Sequence, residues 1–253
     1  MLSVSFAQSV DYLQQRPEVQ SIGADALMST QPIDTPGRWI GSGAASLGLV
    51  GDVDRETMAR LVKDRVHPTT GTPLGSPQPT RSVASQLAAA IAAEGGSVEP
   101  ERVTELRLQI ARAHRATATH VDVNFTLPES WAGFHADLRR AGRHQDAAKV
   151  WTAISEGNDQ ALGYFREHAA FVKAGARWLD ATDWITAMFP HHRSHQGAPR
   201  LHIHTVIVNW VPCSDGQWHP LDPQTFDTVR PAAEAMAERA AKWSLGRSLN
   251  VRL

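Results

Sequence analysis

The sequence predicts an α+β fold in which helices pack on an antiparallel β-sheet. Two segments have the apolar pattern of strands, one beginning at His120 (HVDVNFTLP) and one at Leu201 (LHIHTVIVNWV). Residues 81–93 and 99–115, and most of 129–174, have instead the spacing of helices. Because strands and helices form separate runs and do not alternate regularly, an antiparallel sheet is favoured over a parallel one.

The strand predictions rest on alternation and on bounding turn residues. In residues 120–128, Val121, Val123 and Phe125 share one face, Asp122 and Asn124 take the other, and a proline closes the strand. The connection over residues 190–200 is short enough for an antiparallel pair between its two flanking strands. The predicted strands are residues 2–6, 120–128, 178–189 and 201–211, with a short one in 216–222.

The helix predictions rest on start and stop signals. A first helix over residues 7–15 would end before Pro17. Residues 52–66 start with acidic residues and place Met58, Leu61 and Val62 at helical spacing. Residues 67–80 contain four prolines and two glycines, which predicts an extended surface connection. The remaining predicted helices are residues 81–93, 99–115, most of 129–174 with a break near Gly142, and an Ala-rich tail from Val229.

Composition limits the function classes. The chain has 253 residues and a net charge of −1, so a nucleic-acid surface would have to be local. Its single cysteine excludes an internal disulfide and is compatible with a reducing compartment. The sequence has no apolar run of membrane-spanning length and no signal peptide, so we expect a cytoplasmic protein without a membrane segment. Arginines of residues 102–115 form a basic helix face, a candidate for phosphate contact, although a solvated face explains it as well.

Five histidines lie between Pro190 and Trp210. His202 and His204 are two positions apart on a predicted strand, so their imidazoles point to the same face and can chelate one metal ion. The end of the preceding strand carries His191 and His192, which would supply a third ligand across the hairpin. A His-x-His pair also arises by chance, so a purely structural role remains an alternative.

Asp122 lies on the polar face of another strand. If that strand neighbours the histidine strand, the carboxylate could hold a ligand imidazole through its second nitrogen. A solvated strand aspartate is the simpler interpretation of the residue alone. The histidines elsewhere in the chain show no metal-site spacing and are interpreted as surface or structural residues.

Four ordered segments resemble one family, the MobF (TrwC/TraI-like) conjugative relaxases of the HUH endonuclease superfamily. PGRWIGSGAASLGLVGDVD (residues 36–54) is similar to the family's Trp-x-Gly-x-Gly-Ala segment, and VDVNFTLPES (121–130) to its Asp-Leu-Thr-Phe-Ser-x-Pro-Lys-Ser strand. FPHHRSHQGAPRLHIHTVIVNW (189–210) resembles the histidine motif, and SDGQWHPLD (214–222) the segment after it. The helical insert at residues 67–117 resembles that of actinobacterial members.

The resemblance implies an HUH relaxase-like fold over residues 1–253 and a defined chemistry. A relaxase nicks and rejoins one DNA strand at a plasmid origin of transfer through a 5′-phosphotyrosine, which initiates conjugative transfer. The metal histidines fall on His191, His202 and His204, the strand aspartate on Asp122 and the nucleophile on Tyr12. The implied cofactor is a divalent ion, Mg²⁺ or Mn²⁺, with Zn²⁺ or Ni²⁺ binding more tightly in vitro. The implied partners are single-stranded DNA at the origin of transfer and other conjugation or relaxosome proteins.

The chain departs from the family pattern at several positions. The family carries paired tyrosines near its N-terminus, whereas this chain has two tyrosines in all. Tyr164 lies in a helical segment and is interpreted as a packing residue, so Tyr12 is the candidate nucleophile. Glu129 replaces the lysine after the strand proline, and His195 replaces the arginine of the Thr-Ser-Arg turn.

Three other functions remain open from the sequence. A rolling-circle replication initiator of the HUH class would share the histidines and the tyrosine but act at a replication origin. A non-catalytic DNA-binding homologue would fit the missing tyrosine pairs, and a phosphoesterase without a covalent step is a further alternative. Many relatives continue into a helicase, so the chain is either a single relaxase domain or the N-terminal part of a longer relaxase-helicase.

Overall fold

Five antiparallel strands form the sheet that carries the candidate site. A computed structural model describes residues 1–7, 36–75, 83–96, 98–115, 118–174, 176–194 and 199–250. In spatial order the strands of the sheet are β1 (Leu2–Ala7), β3 (His120–Thr126), β7 (Pro199–Val208), β6 (Thr186–Arg193) and β2 (Arg38–Ile40). The predicted α+β class with an antiparallel sheet is confirmed.

Helices and two small hairpins complete the described part of the chain. The hairpins are β4 (Phe171–Ala174) with β5 (Arg177–Asp180), and β8 (Val211–Pro212) with β9 (Trp218–His219). The helices are α1 (Gly41–Ser46), α2 (Arg55–Ala59) continued by a π-helical turn (Arg60–Asp64), α3 (Val83–Ala93), α4 (Pro100–Arg115), α5 (Glu129–Arg140), α6 (His144–His168) and α7 (Pro223–Leu249). None of the helices in this part of the chain has the length and apolar content needed to cross a membrane.

One face of the sheet, here the helical face, packs on the long helices. Val121, Val123, Phe125 and Ile203 point to this face and are fully buried with residues of α6 and α7. Gly157 of α6 lets the two helices approach closely, because a Cβ at this position would lie 2.8 Å from the Ala237 carbonyl oxygen and 2.7 Å from the Phe125 ring. This main core makes the strands a rigid support for the side chains on the opposite face.

The opposite face, here the histidine face, carries Asp122, Asn124, His191, His202 and His204. Next to these residues it is covered by a second apolar core that combines the sheet with the segment after β2. The buried members of this core are Trp39, Ala44, Met58, Leu61, Val62, Leu74, Ile185, Ala187, Phe189, Val206, Val208 and Trp210. Residues 120–126 alternate between the core on the helical face and polar side chains on the histidine face, as their sequence pattern predicted. In residues 201–208 the apolar side chains are divided between the two cores.

Several predicted boundaries were wrong. Residues 178–189 do not form one strand, because β5 ends at Asp180 and β6 begins at Thr186. Between them the chain passes from the β4–β5 hairpin to the five-stranded sheet: the Thr182 N–H donates to the Pro212 carbonyl, and the Asp183 carboxylate accepts from the Trp184 N–H. The predicted connection over residues 190–200 is also shorter than expected, since both strands extend into it.

The helical stretch predicted to run to residue 174 ends at His168. Phe171–Ala174 is instead the strand β4, because its backbone pairs with Arg177–Asp180 in a hairpin. The C-terminal helix begins at Pro223 rather than Val229. Its start carries two signals that the prediction overlooked, an N-cap at Asp222, which accepts from the Gln224 N–H, and a proline at the first helical position.

The two helices predicted nearest the N-terminus have different outcomes. The helix predicted over residues 52–66 begins at Arg55, after Asp54 has capped it through the Thr57 N–H, and continues as the wider π-helical turn from Arg60. The helix predicted over residues 7–15 does not include Ala7, which belongs to β1, and residues 8–15 lie outside the described residues. The interpretation of residues 67–117 as an insert stays a prediction.

Candidate metal centre

The pairing of β6 with β7 brings three histidines together. His191 lies directly opposite His202, and His204 follows two residues later on the same face of β7. The three ring centroids form a nearly equilateral triangle with sides of 5.2, 5.2 and 5.1 Å. One ring nitrogen from each residue lies within 4.8 Å of the others. Three imidazoles at this separation can converge on one cation.

Burial makes the centre one-sided. His202 and His204 are each 6% exposed, whereas His191 is half-buried. Phe189, which is 3% exposed, pairs with His204 across the strands and forms part of the floor beside the second core. A ligand would therefore reach the centre from the side of His191.

Asp122 fixes the orientation of His204. The Nδ1 atom of His204 lies 2.8 and 3.0 Å from the two carboxylate oxygens of Asp122, and both side chains are buried. An ionised carboxylate only accepts hydrogen bonds, so Nδ1 carries the proton and donates it. The lone pair of His204 is therefore on Nε2, where a metal ion would need it.

His202 is held in the same tautomer by a different acceptor. Its Nδ1 lies 3.1 Å from the Arg200 carbonyl oxygen, so Nδ1–H donates and Nε2 is left for a ligand. The pKa of His202 is lowered to about 4, mainly by burial. The hydrogen bond to the Arg200 carbonyl opposes this effect, and the neighbouring His204 and His191 add to it. The ring is thus neutral at pH 7, the form that binds metals.

Asn124 and Thr126 belong to the same face but received no role from the sequence. Asn124 lies opposite His204 and Thr126 opposite His202 in the pairing of β3 with β7. The Asn124 amide nitrogen is 3.4 Å from His204 Nε2, and the Thr126 hydroxyl donates to the Asn124 carbonyl oxygen at 3.1 Å. The alternation that singled out Asp122 also placed these two residues beside it, and that signal could have found them.

His192 points away from the centre. Because successive strand residues alternate, it lies on the helical face, where its ring centroid is 4.6 Å from Trp151 and 6.0 Å from His135. His135 is buried, and burial lowers its pKa to about 4. These contacts give His135 the structural role expected from the sequence. They place His192, which the sequence offered beside His191 as a possible third ligand, in a packing role away from the centre.

The segment after residue 36 supports the floor of the centre. β2 pairs with β6, and Trp39 is buried in the second core. Gly37 packs closely on the Phe189 ring, and a Cβ at this position would lie only 2.2 Å from a ring atom. The motif around Trp39 therefore acts on the histidines through Phe189.

The remaining sequence candidates have different positions. Tyr12 and His195 lie outside the described residues. Tyr164 is half-buried on α6 and packs on the main core, with its ring 4.3 Å from that of His168. In the basic face of α4, Arg102 is engaged with Glu94 at 2.7 Å and Glu105 at 2.6 Å, so it is not available as a phosphate contact without breaking these pairs.

Comparison with protein families identifies the chain. The family model described as TrwC relaxase matches residues 10–251, nearly the whole length. The chain belongs to the TrwC relaxase family. It is therefore a DNA relaxase of the MobF, HUH type, as the sequence resemblance predicted.

Solved structures of relaxases share the fold. The conjugative relaxase TrwC in complex with oriT DNA, in a copper-bound structure, is 22% identical with a TM-score of 0.61; 98% of this chain and 70% of that chain are covered. A metal-bound structure of the same complex is 21% identical, with a TM-score of 0.60 and the same coverage. TrwC complexed with a 27-mer DNA comprising the recognition hairpin and the cleavage site is 21% identical, with a TM-score of 0.57, covering 98% of this relaxase and 69% of that chain. No curated protein sequence matches significantly.

Proposed function

We propose that this relaxase nicks one strand of DNA at an origin of transfer, holds the 5′ end as a phosphotyrosine and later rejoins the strand. The observation that carries the proposal is the triangle of His191, His202 and His204 with Asp122 behind it, on a chain of the relaxase family. Solved relatives of the same fold are described as bound to oriT DNA and to metal, which supports the choice of substrate.

The three histidines would hold one divalent cation. The donor set fits, because His202 and His204 each engage Nδ1 with an acceptor, which leaves the Nε2 lone pair as the ligand. One ring nitrogen from each of the three histidines also lies within 4.8 Å of the others. We propose Mg²⁺ or Mn²⁺ as the physiological ion, although Zn²⁺, Ni²⁺ or Cu²⁺ should bind three imidazoles more tightly in vitro. A bound cation would withdraw electron density from the scissile phosphate.

Residues of the chain supply the rest of the reaction. We propose Tyr12 as the nucleophile. Its phenolic oxygen forms a bond to phosphorus, and the bond from phosphorus to the 3′ oxygen breaks. The phenol loses its proton, and the departing 3′ oxygen gains one to become the 3′-hydroxyl. Asp122 acts through His204, whose tautomer and orientation it fixes. The phosphotyrosine conserves the energy of the cleaved bond, so the same chemistry in reverse rejoins the strand.

The biological setting follows from this chemistry. The partner is single-stranded DNA at the origin of transfer, and other conjugation or relaxosome proteins would present that DNA to the enzyme. We place the activity in the cytoplasm and in one relaxase domain spanning residues 1–253, with 67–117 as a helical insert.

A covalent-adduct assay tests the proposal. The relaxase is incubated with pooled single-stranded oligonucleotides from an origin region and Mg²⁺ or Mn²⁺, with EDTA as the control. The expected product is a metal-dependent protein–DNA species that survives denaturing electrophoresis. Oligonucleotide binding without any adduct would contradict the proposal and support a non-catalytic homologue, which the count of two tyrosines favours as the second candidate. Adduct formation only with replication-origin oligonucleotides would support the initiator alternative.

A further inference from the structure

Asn124 is the polar side chain that faces the ligand atom of His204. It lies directly opposite His204 between β3 and β7, and its amide nitrogen is 3.4 Å from Nε2. It is half-buried, whereas Asp122 and Thr126 on either side of it are buried. Asn124 therefore borders His204 on the β3 side of the centre, across β7 from His191, and its partial exposure leaves it accessible to a bound ligand.

Hydrogen-bond donors and acceptors fix which end of the amide faces the centre. Asp122 accepts from His204 Nδ1, so His204 Nε2 is an acceptor and needs a donor opposite it. The Thr126 hydroxyl donates to Asn124 Oδ1, which engages the acceptor end of the amide. The amide N–H group is thus the part of Asn124 that is directed at the centre.

This N–H group loses its acceptor when the centre is in use. Once the Nε2 lone pair of His204 is engaged with a cation, it can no longer accept from Asn124. A half-buried donor without an acceptor is unfavourable, so the group should turn to the nearest acceptor. A phosphodiester bound at the centre offers anionic non-bridging oxygens, which are the strongest acceptors available there.

We propose that Asn124 donates a side-chain N–H to a non-bridging oxygen of the phosphodiester bound at the three-histidine centre, with Thr126 holding the amide in the donating orientation. The inference rests on the proposed function. It makes Asn124 a residue that touches the substrate, and Thr126 a positioning residue that acts through Asn124. The carboxylate of an aspartate at position 124 would have the same shape but would repel the phosphate.

The test uses a probe that contains a single phosphodiester and no sequence information. Binding of thymidylyl-3′,5′-thymidine to the Mn²⁺-loaded relaxase is measured by paramagnetic relaxation of its ³¹P nucleus. Mn²⁺ affinity is measured separately by electron paramagnetic resonance without the dinucleotide. The variants are Asn124→Leu, Asn124→Asp and Thr126→Val, and Ser3→Ala is the matched control, because Ser3 is exposed opposite Asn124 on β1.

Asn124→Leu should weaken dinucleotide binding about 10- to 100-fold, the usual loss for a hydrogen bond to a charged group, with Mn²⁺ affinity within twofold of wild type. Asn124→Asp should bind Mn²⁺ at least as tightly as wild type and the dinucleotide more weakly than Asn124→Leu. Its loss should shrink with the neutral methylphosphonate analogue, because the charge repulsion is removed. Thr126→Val should show a smaller loss, and Ser3→Ala none.

A readout on the metal-free protein accompanies these measurements. The ¹⁵N shift of His204 Nε2 should move in Asn124→Leu, because the ring nitrogen loses its donor. Dinucleotide binding that stays at the wild-type level in both Asn124 variants would overturn the inference. So would a parallel loss of Mn²⁺ affinity in Asn124→Leu, which would make Asn124 a support of the metal rather than of the phosphate. If wild-type protein itself binds no Mn²⁺ or no dinucleotide, the proposed function fails together with the inference.

Discussion

At His204 both ring nitrogens have defined partners, and this single residue links the sheet to the centre. Its Nδ1–H donates to Asp122 at 2.8 Å, and its Nε2 faces Asn124 at 3.4 Å. The pair with Asp122 is buried, so water competes little for the carboxylate. The chain of hydrogen bonds from Thr126 through Asn124 and His204 to Asp122 therefore fixes His204 in the tautomer that is protonated at Nδ1.

Replacing Asp122 with Asn should weaken metal binding. The variant keeps a carbonyl oxygen that can accept from His204 Nδ1, but it loses the negative charge that makes the imidazole a stronger ligand. Mn²⁺ affinity should fall about 10- to 100-fold in calorimetric titration. Asp215→Asn is the matched control, because Asp215 forms a similar 3.0 Å pair with His219 in the β8–β9 hairpin, with both side chains more exposed. Equal Mn²⁺ affinities for Asp122→Asn and wild type would refute the role of Asp122.

Replacing Tyr12 with Phe should abolish the covalent DNA adduct, since the phenolic oxygen is the atom that bonds to phosphorus. Metal affinity and binding of single-stranded DNA should change little, because the histidines stay intact. Tyr164→Phe is the control, since Tyr164 packs on the main core through α6 and should retain adduct formation. Peptide mapping of the wild-type adduct checks the assignment independently, and DNA attached to a residue other than Tyr12 would count against it.

Much of the candidate centre could be predicted at the residue scale. The two-residue spacing of His202 and His204 places both imidazoles on one face of their strand. The alternation of residues 121–125 places the Asp122 carboxylate on the polar face of its own strand. Asn124 was placed on that face but received no role, because its function depends on which atoms of Thr126 and His204 it meets. Such contacts are set by the register between strands far apart in sequence, and no local pattern encodes that register.

At the scale of elements, the centre depends on how β2 is seated against β6. Gly37, just before β2, lies flat on the Phe189 ring, and Phe189 is the cross-strand partner of His204. The motif around Trp39 thus reaches the histidines by packing. A change at this contact should affect both stability and metal binding, although Gly37 itself carries no chemistry.

Gly37→Ala should destabilise the relaxase and weaken Mn²⁺ binding. The added Cβ would lie 2.2–2.8 Å from ring atoms of Phe189, so the ring or the start of β2 must shift, at a cost of about 1–3 kcal/mol. Urea unfolding and Mn²⁺ titration measure the two effects. Gly133→Ala, on α5, is the matched control, because a Cβ there meets nothing within 4 Å and alanine favours the helix by roughly 1 kcal/mol. Wild-type stability in Gly37→Ala would show that the contact is not tight.

The elements themselves were predicted unevenly, and the errors have a common cause. The strand β3 and the helices α3 and α4 have strong periodic patterns, and their observed bounds are close to those predicted. Residues 178–189 looked like one strand because apolar residues continue through the break. There the chain passes from the β4–β5 hairpin to the five-stranded sheet, and the Thr182 N–H donates to the Pro212 carbonyl. A tertiary contact of this kind overrides local propensity.

Across the whole molecule, buried histidines tie stability to pH. His120, His135 and His202 are 0%, 5% and 6% exposed, and burial lowers the pKa of each to about 4. For His120, which is the most buried, the nearby Asp122 partly opposes this effect by raising the pKa. In the unfolded chain a histidine has a pKa near 6.5, so the unfolded state takes up protons that the folded state rejects.

The metal-free relaxase should therefore lose stability as the pH falls from about 6.5 to about 4. A depressed pKa in the folded state means that the stabilising contribution is complete above the unfolded value and is lost as the pH approaches the folded one. Each such histidine adds up to about 1.4 kcal/mol per pH unit to the slope within this window, and for His120 the loss reaches roughly 3 kcal/mol. Urea unfolding at a series of pH values in EDTA measures the slope. His120→Asn removes one titrating group and keeps a polar partner for the Thr119 hydroxyl, which lies 3.1 Å from His120 Nδ1. The variant should be less stable than wild type at pH 7, and its free energy of unfolding should depend less steeply on pH. Gly133→Ala should shift the curve without changing its slope, and a His120→Asn curve parallel to that of wild type would remove His120 from this account.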